Sequence, residues 1–180
     1  MKEKRKAWKE NMSGYAPEKL VFLDESGINI NMTRCYARSK GGFRAVDAVP
    51  LWKPQNITVL SSIRLNGEAD YTTYAGGTTS ERFIDYLKNT LIPTLSSDSI
   101  VIMDNMRSHH TKPVKDLLTQ AGVHYLYLPP YSPDLNPIEK MWAKIKAFLR
   151  KAKVRQLEKL LNAVNAAFKT ICPADCSGWF

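Results

Sequence analysis

Three acidic residues, Asp24, Asp104 and Glu139, stand in settings that equip them for chemistry. Asp24 follows the apolar run Leu20-Val21-Phe22-Leu23, and Asp104 follows Ile100-Val101-Ile102-Met103. Short runs that are apolar at every position read as buried central strands. If those strands are parallel neighbours, both carboxylates emerge at one sheet edge, where open α/β sheets bind ligands. An Asp after a strand also commonly caps a turn, but the repetition of the design favours a site. Glu139 lies in Asn136-Pro137-Ile138-Glu139, which reads as an N-cap, a Pro at N1 and an acid at N3, a capping-box arrangement. The cap role and a site role are compatible, because a helix N-terminus also favours a nearby carboxylate. Three carboxylates without a cysteine or histidine cage suit hard cations such as Mg²⁺ or Mn²⁺. Two such ions about 4 Å apart stabilise the attacking and leaving oxygens of an in-line phosphoryl displacement. A glycosidase also uses two carboxylates, but that chemistry leaves the charge distribution unexplained.

That distribution is uneven. The 180-residue chain has a formal net charge of +9. Residues 1–12 set Lys2, Lys4, Arg5, Lys6 and Lys9 against Glu3 and Glu10. Residues 140–159 set Lys140, Lys144, Lys146, Arg150, Lys151, Lys153, Arg155 and Lys159 against Glu158 alone. The remainder is nearly neutral. Clustered Lys and Arg gain affinity for a phosphate backbone by releasing its counterions, so a nucleic-acid partner is expected. With 44% hydrophobic and 24% charged residues, the composition excludes wholesale disorder. The length suits one domain with a real core. No apolar run approaches the ~20 residues of a membrane span, and no apolar segment follows the basic N-terminus as a signal peptide requires. Cys35, Cys172 and Cys176 are too few for a disulfide scaffold, so a reducing, intracellular setting is expected. Cys172 and Cys176 have no second ligand pair for zinc.

The surrounding pattern must position the acids. Residues 1–17 read as a basic lead-in or linker, broken at Gly14 and Pro17. After the first strand, Ser26-Gly27 reads as a turn, and 29–37, 43–49 and 56–65 read as strands. Asn66-Gly67 signals a hairpin returning over 69–75. Phe83, Ile84, Leu87 and Leu91 then mark an amphipathic helix that opens at Thr78–Ser80 and closes near Pro93. A helix over 113–121 stopped by Gly122 follows the Asp104 strand. Next come a strand over 125–128 and a stiff loop with Pro129, Pro130 and Pro133. Ile138, Met141, Trp142, Ile145, Phe148 and Leu149 form one helical stripe. A last helix over about 154–170 carries Val154, Leu157, Leu161, Val164 and Phe168. Strands first, then strands alternating with helices, indicate an α/β layered sheet.

Three segments carry a resemblance. They are Asp24-Glu25-Ser26-Gly27, then Met103-Asp104-Asn105 with His109 five residues after the acid, then Leu128-Pro129-Pro130-Tyr131-Ser132-Pro133-Asp134-Leu135-Asn136-Pro137-Ile138-Glu139 with Trp142. Together they resemble the catalytic domain of a DDE transposase, most similar to the mariner-related transposases of bacterial insertion sequences. The third segment is long and specific. The 34 residues between Asp104 and Glu139 are a spacing typical of that group. Tyr36-Ala37-Arg38 through Pro50, followed by Asn56-Ile57-Thr58, is also similar. The resemblance covers about residues 18–172, leaving 173–180 as a C-terminal tail.

The resemblance implies a ribonuclease H-like fold, with a central mixed five-stranded sheet flanked by helices. It implies that Asp24, Asp104 and Glu139 are catalytic and hold two divalent ions, Asp24 bridging both. It implies nicking of DNA at the element's ends and attack of the freed 3′-hydroxyl on target DNA, usually at a TA dinucleotide. Asn105, His109 and Trp142 are expected to support the acids. Glu25, one residue beyond Asp24 on a strand, would point the other way and reads as secondary. Lys140, Lys144, Lys146, Arg150, Lys151 and Lys153 are expected to bind DNA phosphates. Tyr131, Ser132 and Pro133 stiffen their loop or touch DNA. Relatives act as dimers, carry N-terminal helix-turn-helix modules and act in the bacterial cytoplasm at the nucleoid. This chain starts with only a basic lead-in. It therefore reads as a catalytic-domain fragment, the downstream frame of a two-frame element, or a decayed copy. Two other functions stay open: a non-catalytic DNA-binding remnant, and a distinct ribonuclease H-like nuclease.

Overall fold

A computed structural model of the protein describes residues 2–180. Five strands form one mixed sheet: β1 (Leu20–Ile28), β2 (Ile57–Arg64), β3 (Tyr71–Ala75), β4 (Ile100–Met103) and β5 (His124–Tyr127). Their order across the sheet is β3-β2-β1-β4-β5. β1 pairs antiparallel with β2 and parallel with β4, while β2–β3 is antiparallel and β4–β5 parallel. β1 and β4, the two strands that lead to the aspartates, are thus parallel neighbours.

Alternation along the strands sends side chains to two separate cores. Leu20, Phe22, Ile57, Val59, Ile63, Ile100 and Ile102 face one side. There they meet Ile138, Met141, Trp142, Ile145 and Leu149 of α4 (Ile138–Ala152) and Leu160, Val164, Ala167 and Phe168 of α5 (Leu157–Phe168). Val21, Leu23, Leu60, Val101 and Met103 face the other side. They pack on α2 (Ser80–Tyr86), which continues through Leu87 and Leu91, and on Val114 and Leu118 of α3 (Lys112–Gln120). Each fully buried aliphatic side chain contributes about 1.5–3 kcal/mol, so both helical layers are anchored on the strands that carry the acids.

The segment before β1 is helical. In α1 (Lys2–Met12), Trp8 and Met12 pack, together with Tyr15, on the α4-side core. The opposite terminus joins them: α6 (Pro173–Ser177) ends the helices, and Phe180 meets Phe22 edge-on at 5.2 Å. The hairpin turn forms as its sequence indicates, with Gly67 at φ 88° and Cys172 backbone 3.1 Å from where a Cβ would sit. Gly122, at φ 67°, follows α3.

Four local expectations are corrected. Ser26-Gly27 is not a turn: both residues stay in β1, paired with Val59 and Thr58. Residues 29–37 and 43–49 form no strand; Arg155 holds the first stretch as irregular chain through the Ile30 and Met32 carbonyls and the Thr33 hydroxyl. Leu157 and Leu161 are about 40% exposed, and α5 turns inward on Leu160, Val164, Ala167 and Phe168 instead. The capping box is also absent: the Asn136 backbone carbonyl accepts from Glu139 N at 3.1 Å, but its side-chain Oδ1 is buried without a partner.

Candidate active site

Asp24 and Asp104 reach the same edge by the same construction. The β1–β4 register pairs Leu20, Val21 and Phe22 with Ile100, Val101 and Ile102. Asp24 and Asp104 each follow two residues after the last of these pairs, on the α4 side of the sheet. Glu139 joins them from the first turn of α4. The three acids line one cleft of about 470 Å³, walled by Pro129–Pro133 and floored in part by Asn136. Tyr131 takes φ 54° in that wall and is exposed, held between Pro130 and the buried Ser132.

Burial pushes the Asp24 carboxyl up to about 7. A hydrogen bond from its neighbour, Glu25 N to Asp24 Oδ1 at 2.8 Å, opposes the shift, and the negative charges of Glu25, Glu139 and Asp104 add to it. Asp104 behaves differently. Burial acts to raise its carboxyl, but hydrogen bonds from His109 and Met106 N, with the His109 charge, outweigh burial and hold it below the usual range. Among the described residues, no three His, Cys, Asp or Glu side chains close into a ready-made cation cage. The donor set nonetheless fits a hard divalent cation. It is all oxygen, and its crowded negative charge is what such an ion would relieve.

The residues expected to support the acids separate. His109 is fully buried, with Nδ1 at 2.9 Å from Asp104 Oδ1 and Nε2 at 3.0 Å from Glu25 Oε1. Burial pulls the imidazole down, but its bonds to Asp104 and Glu25 prevail and raise it to about 9. Asn105 donates from Nδ2 to the Leu128 carbonyl, tying the loop after β4 to the residue after β5. Trp142 packs edge-on against Phe168 at 6.3 Å, and its buried indole N–H has no partner, so it belongs to the core. Of the basic residues, Lys144 pairs with Asp175 and Lys153 with Asp47. Lys140, Lys146, Arg150 and Lys151 lie along α4 with no ion pair among the described residues.

The family described as DDE superfamily endonuclease matches residues 19–161, a span that contains all three acids and the whole sheet. The chain belongs to the DDE superfamily endonucleases. Two relatives from Caenorhabditis briggsae are similar in sequence. The transposable element Tcb1 transposase is 30% identical over 99 residues, which is 52% of this chain and 36% of that protein. The transposable element Tcb2 transposase is 34% identical over 76 residues, 39% of this chain and 28% of that one. The matches thus span about a third of the relatives' own lengths. The fold is that of Mos1 transposase structures. A pre-cleavage Mos1 transpososome superposes with a TM-score of 0.81 at 20% identity, over 97% of this chain and 56% of that one. The catalytic domain of Mos1 mariner transposase gives 0.73 at 17% identity, over 97% and 82%. This is the ribonuclease H-like fold that the sequence resemblance implies.

Glu25 does point away from Asp24, as strand alternation requires, but it points at His109. The one signal in the sequence was the histidine five residues after Asp104, and nothing there linked it to Glu25, 84 positions away.

Proposed function

We propose that this chain is the catalytic domain of a DNA transposase, and that Asp24, Asp104 and Glu139 carry its chemistry. The observation that carries the proposal is the meeting of these three carboxylates, from three separate elements, in one cleft. The reaction is phosphoryl transfer on DNA: water cleaves a phosphodiester at the element's end and leaves a 3′-hydroxyl, which then attacks target DNA, at a TA dinucleotide. Asp24, Asp104 and Glu139 would hold two Mg²⁺ or Mn²⁺ ions. Bound there, the ions supply Lewis-acid stabilisation of the attacking and leaving oxygens. A Mos1 paired-end complex with Mn and another with Mg are among the structures of the same fold.

The chain's own groups do the rest. The parallel register sets Asp24 and Asp104 side by side, and the N-terminus of α4 sets Glu139 against them. Pro129, Pro130 and Pro133 stiffen the wall of that cleft. Lys140, Lys146, Arg150 and Lys151 offer cations to the DNA phosphates. A homodimer would draw on the segment between β1 and β2, where Tyr36, Val46, Leu51 and Trp52 are exposed. A separate N-terminal helix-turn-helix module would read the element's ends. The setting would be the bacterial cytoplasm, at the nucleoid while DNA is bound.

The test is Mn²⁺-dependent nicking and joining of the element's end DNA, with the DNA-reading module supplied. Asp24→Asn, Asp104→Asn and Glu139→Gln are each expected to lower both by about 10²-fold or more, the scale for loss of a group that stabilises a transition state. DNA binding without metal-dependent nicking would leave a non-catalytic remnant. Nicking that depends on the acids but gives no joined donor–target product would leave a ribonuclease H-like nuclease.

A further inference from the structure

Behind the cleft lies a second cluster of titratable groups, and it is buried. The His109 ring is held on three sides. Its Nε2 meets Glu25 Oε1 at 3.0 Å, its Nδ1 meets Asp104 Oδ1 at 2.9 Å, and its face stacks on Phe83 with centroids 4.1 Å apart. The Tyr127 hydroxyl fixes the backbone beneath, donating to the His109 carbonyl at 2.9 Å.

Glu25 has no other evident purpose. Its side chain is 5% exposed, and its second oxygen, Oε2, is buried without a partner among the described residues. A carboxylate taken out of water costs several kcal/mol unless paired, so its one bond, to His109, is the reason to look for a role. Strand alternation keeps it out of the cleft, since Glu25 faces the α2 side with Leu23. It reaches the cleft only through His109. At the far end of the chain of contacts, His109 Nδ1 faces Asp104, 2.9 Å from Oδ1 and 3.4 Å from the backbone carbonyl, and Met106 N donates to Oδ1 at 2.9 Å. Among the described residues, the other Asp104 oxygen, Oδ2, has no donor.

We propose that Glu25 is a positioning residue of the phosphoryl-transfer site: by accepting from Nε2 it holds His109 with Nδ1–H directed at Asp104, so that Asp104 presents Oδ2 to the cleft. Groups behind a ligating side chain fix its orientation, and their removal typically weakens metal binding about 10- to 100-fold. The proposal rests on the reading of Asp104 as a cation ligand.

The experiment titrates Mn²⁺ alone, without DNA, into the full chain by calorimetry. Glu25→Leu keeps bulk but removes the acceptor, whereas Glu25→Gln keeps an acceptor oxygen. The Leu variant is expected to bind Mn²⁺ about 10- to 100-fold more weakly, and the Gln variant to recover to within about threefold of wild type. In parallel, NMR of the metal-free chain is expected to show a slowly exchanging His109 Nδ1 proton in wild type and in the Glu25→Gln variant, lost in the Leu variant. A role in packing alone would leave Mn²⁺ affinity unchanged in a folded Leu variant, and that result overturns the proposal. If wild type binds no Mn²⁺, or Asp104→Asn binds it equally well, the cation-site reading fails instead. The proton signal then decides on Glu25, and its persistence in the Leu variant overturns the proposal. If the Leu variant does not fold, absence of the slow proton in wild type does so.

Discussion

Asp24 and Asp104 lie two residues beyond Phe22 and Ile102, a registered pair on adjacent parallel strands, so the backbone ladder itself sets the two carboxylates side by side. Their partners are opposite in kind. Asp104 is backed by the His109 imidazole, while Asp24 accepts from Glu25 N and lies in the field of the Glu25, Glu139 and Asp104 carboxylates. One member of the pair is therefore kept ionised and the other is kept expensive to ionise.

This asymmetry makes metal-free stability depend on pH. The Asp24 carboxyl stands at about 7 in the folded chain against an ordinary 3.8. Between those values the folded state keeps a proton that the unfolded chain has released. The destabilising contribution therefore grows as pH rises from about 4 to 7 and is complete above. Allowing for partial exposure, Asp24→Asn is expected to gain on the order of 1–2 kcal/mol at about pH 8, or roughly 3–6 °C in Tm, and almost nothing near pH 4. Paired thermal melts without metal check this. A pH-independent gap between variant and wild type counts against it.

The imidazole gives a stability change in the same direction but in a higher window. His109 stands at about 9 against an ordinary 6.5, because its bonds to Glu25 and Asp104 overcome burial. The stabilisation is fully present below about pH 6.5 and is lost as pH rises through 9. In the Asp24→Asn background, which removes the first effect, Tm is expected to fall between about pH 7 and 9. Adding His109→Gln should flatten that fall. A double variant that keeps the full slope would show that another group titrates.

How much of this was legible in the sequence depends on range. The acids, the two apolar strands, the Asn66-Gly67 hairpin and the α4 stripe all rest on signals within one element, and the structure reproduces those elements. Glu25 and His109 meet across 84 positions, so strand alternation gave the direction of Glu25 but not what it faces. Ser26-Gly27 looks like a turn in isolation, yet pairing with Val59 and Thr58 keeps both residues extended, since strand formation depends on neighbours more than on propensity. Residues 29–37 fail in the opposite sense. Arg155 instead holds them as irregular chain, through the carbonyls of Ile30 and Met32 and the hydroxyl of Thr33.

The orphaned Asn136 amide gives a sharper stability test. An N-cap side chain that bonds the helix costs about 1 kcal/mol when cut to Ala. Asn136 Oδ1 makes no such bond. Asn136→Ala is therefore expected to cost well under that value in urea unfolding. A loss of about 1 kcal/mol or more would mean that the capping bond does form in solution.

The N-terminal helix should matter through packing rather than charge. Arg5 reaches Ser132 Oγ at 3.0 Å and pairs with Asp134, but that pair is largely exposed. Exposed pairs contribute about 0.2–1 kcal/mol. Trp8 instead buries part of its ring against the α4-side core. Trp8→Ala is expected to cost about 2 kcal/mol, several times the cost of Arg5→Ala. Equal losses by calorimetry would assign the docking of α1 to the ion pair.

The basic residues of α4 and its C-cap divide into those that pair within the protein and those without an ion pair among the described residues. Lys144 is engaged by Asp175 and the Thr170 carbonyl, and Lys153 by Asp47. Those bonds occupy two of the three N–H donors of Lys144 and one of Lys153. Lys146 and Arg150, one turn apart on α4, have no such partners among the described residues. Each phosphate contact that is lost lowers the slope of log affinity against log salt by about 1. Lys146→Ala and Arg150→Ala are therefore expected to reduce that slope by about 1 each, with Tm unchanged. Lys144→Ala should lower Tm and leave the slope as it was. Titrations of a duplex between about 50 and 200 mM salt separate the two classes. A slope that falls equally for all three would mean that Lys144 leaves Asp175 when DNA binds, so that its ion pair belongs to the free protein alone.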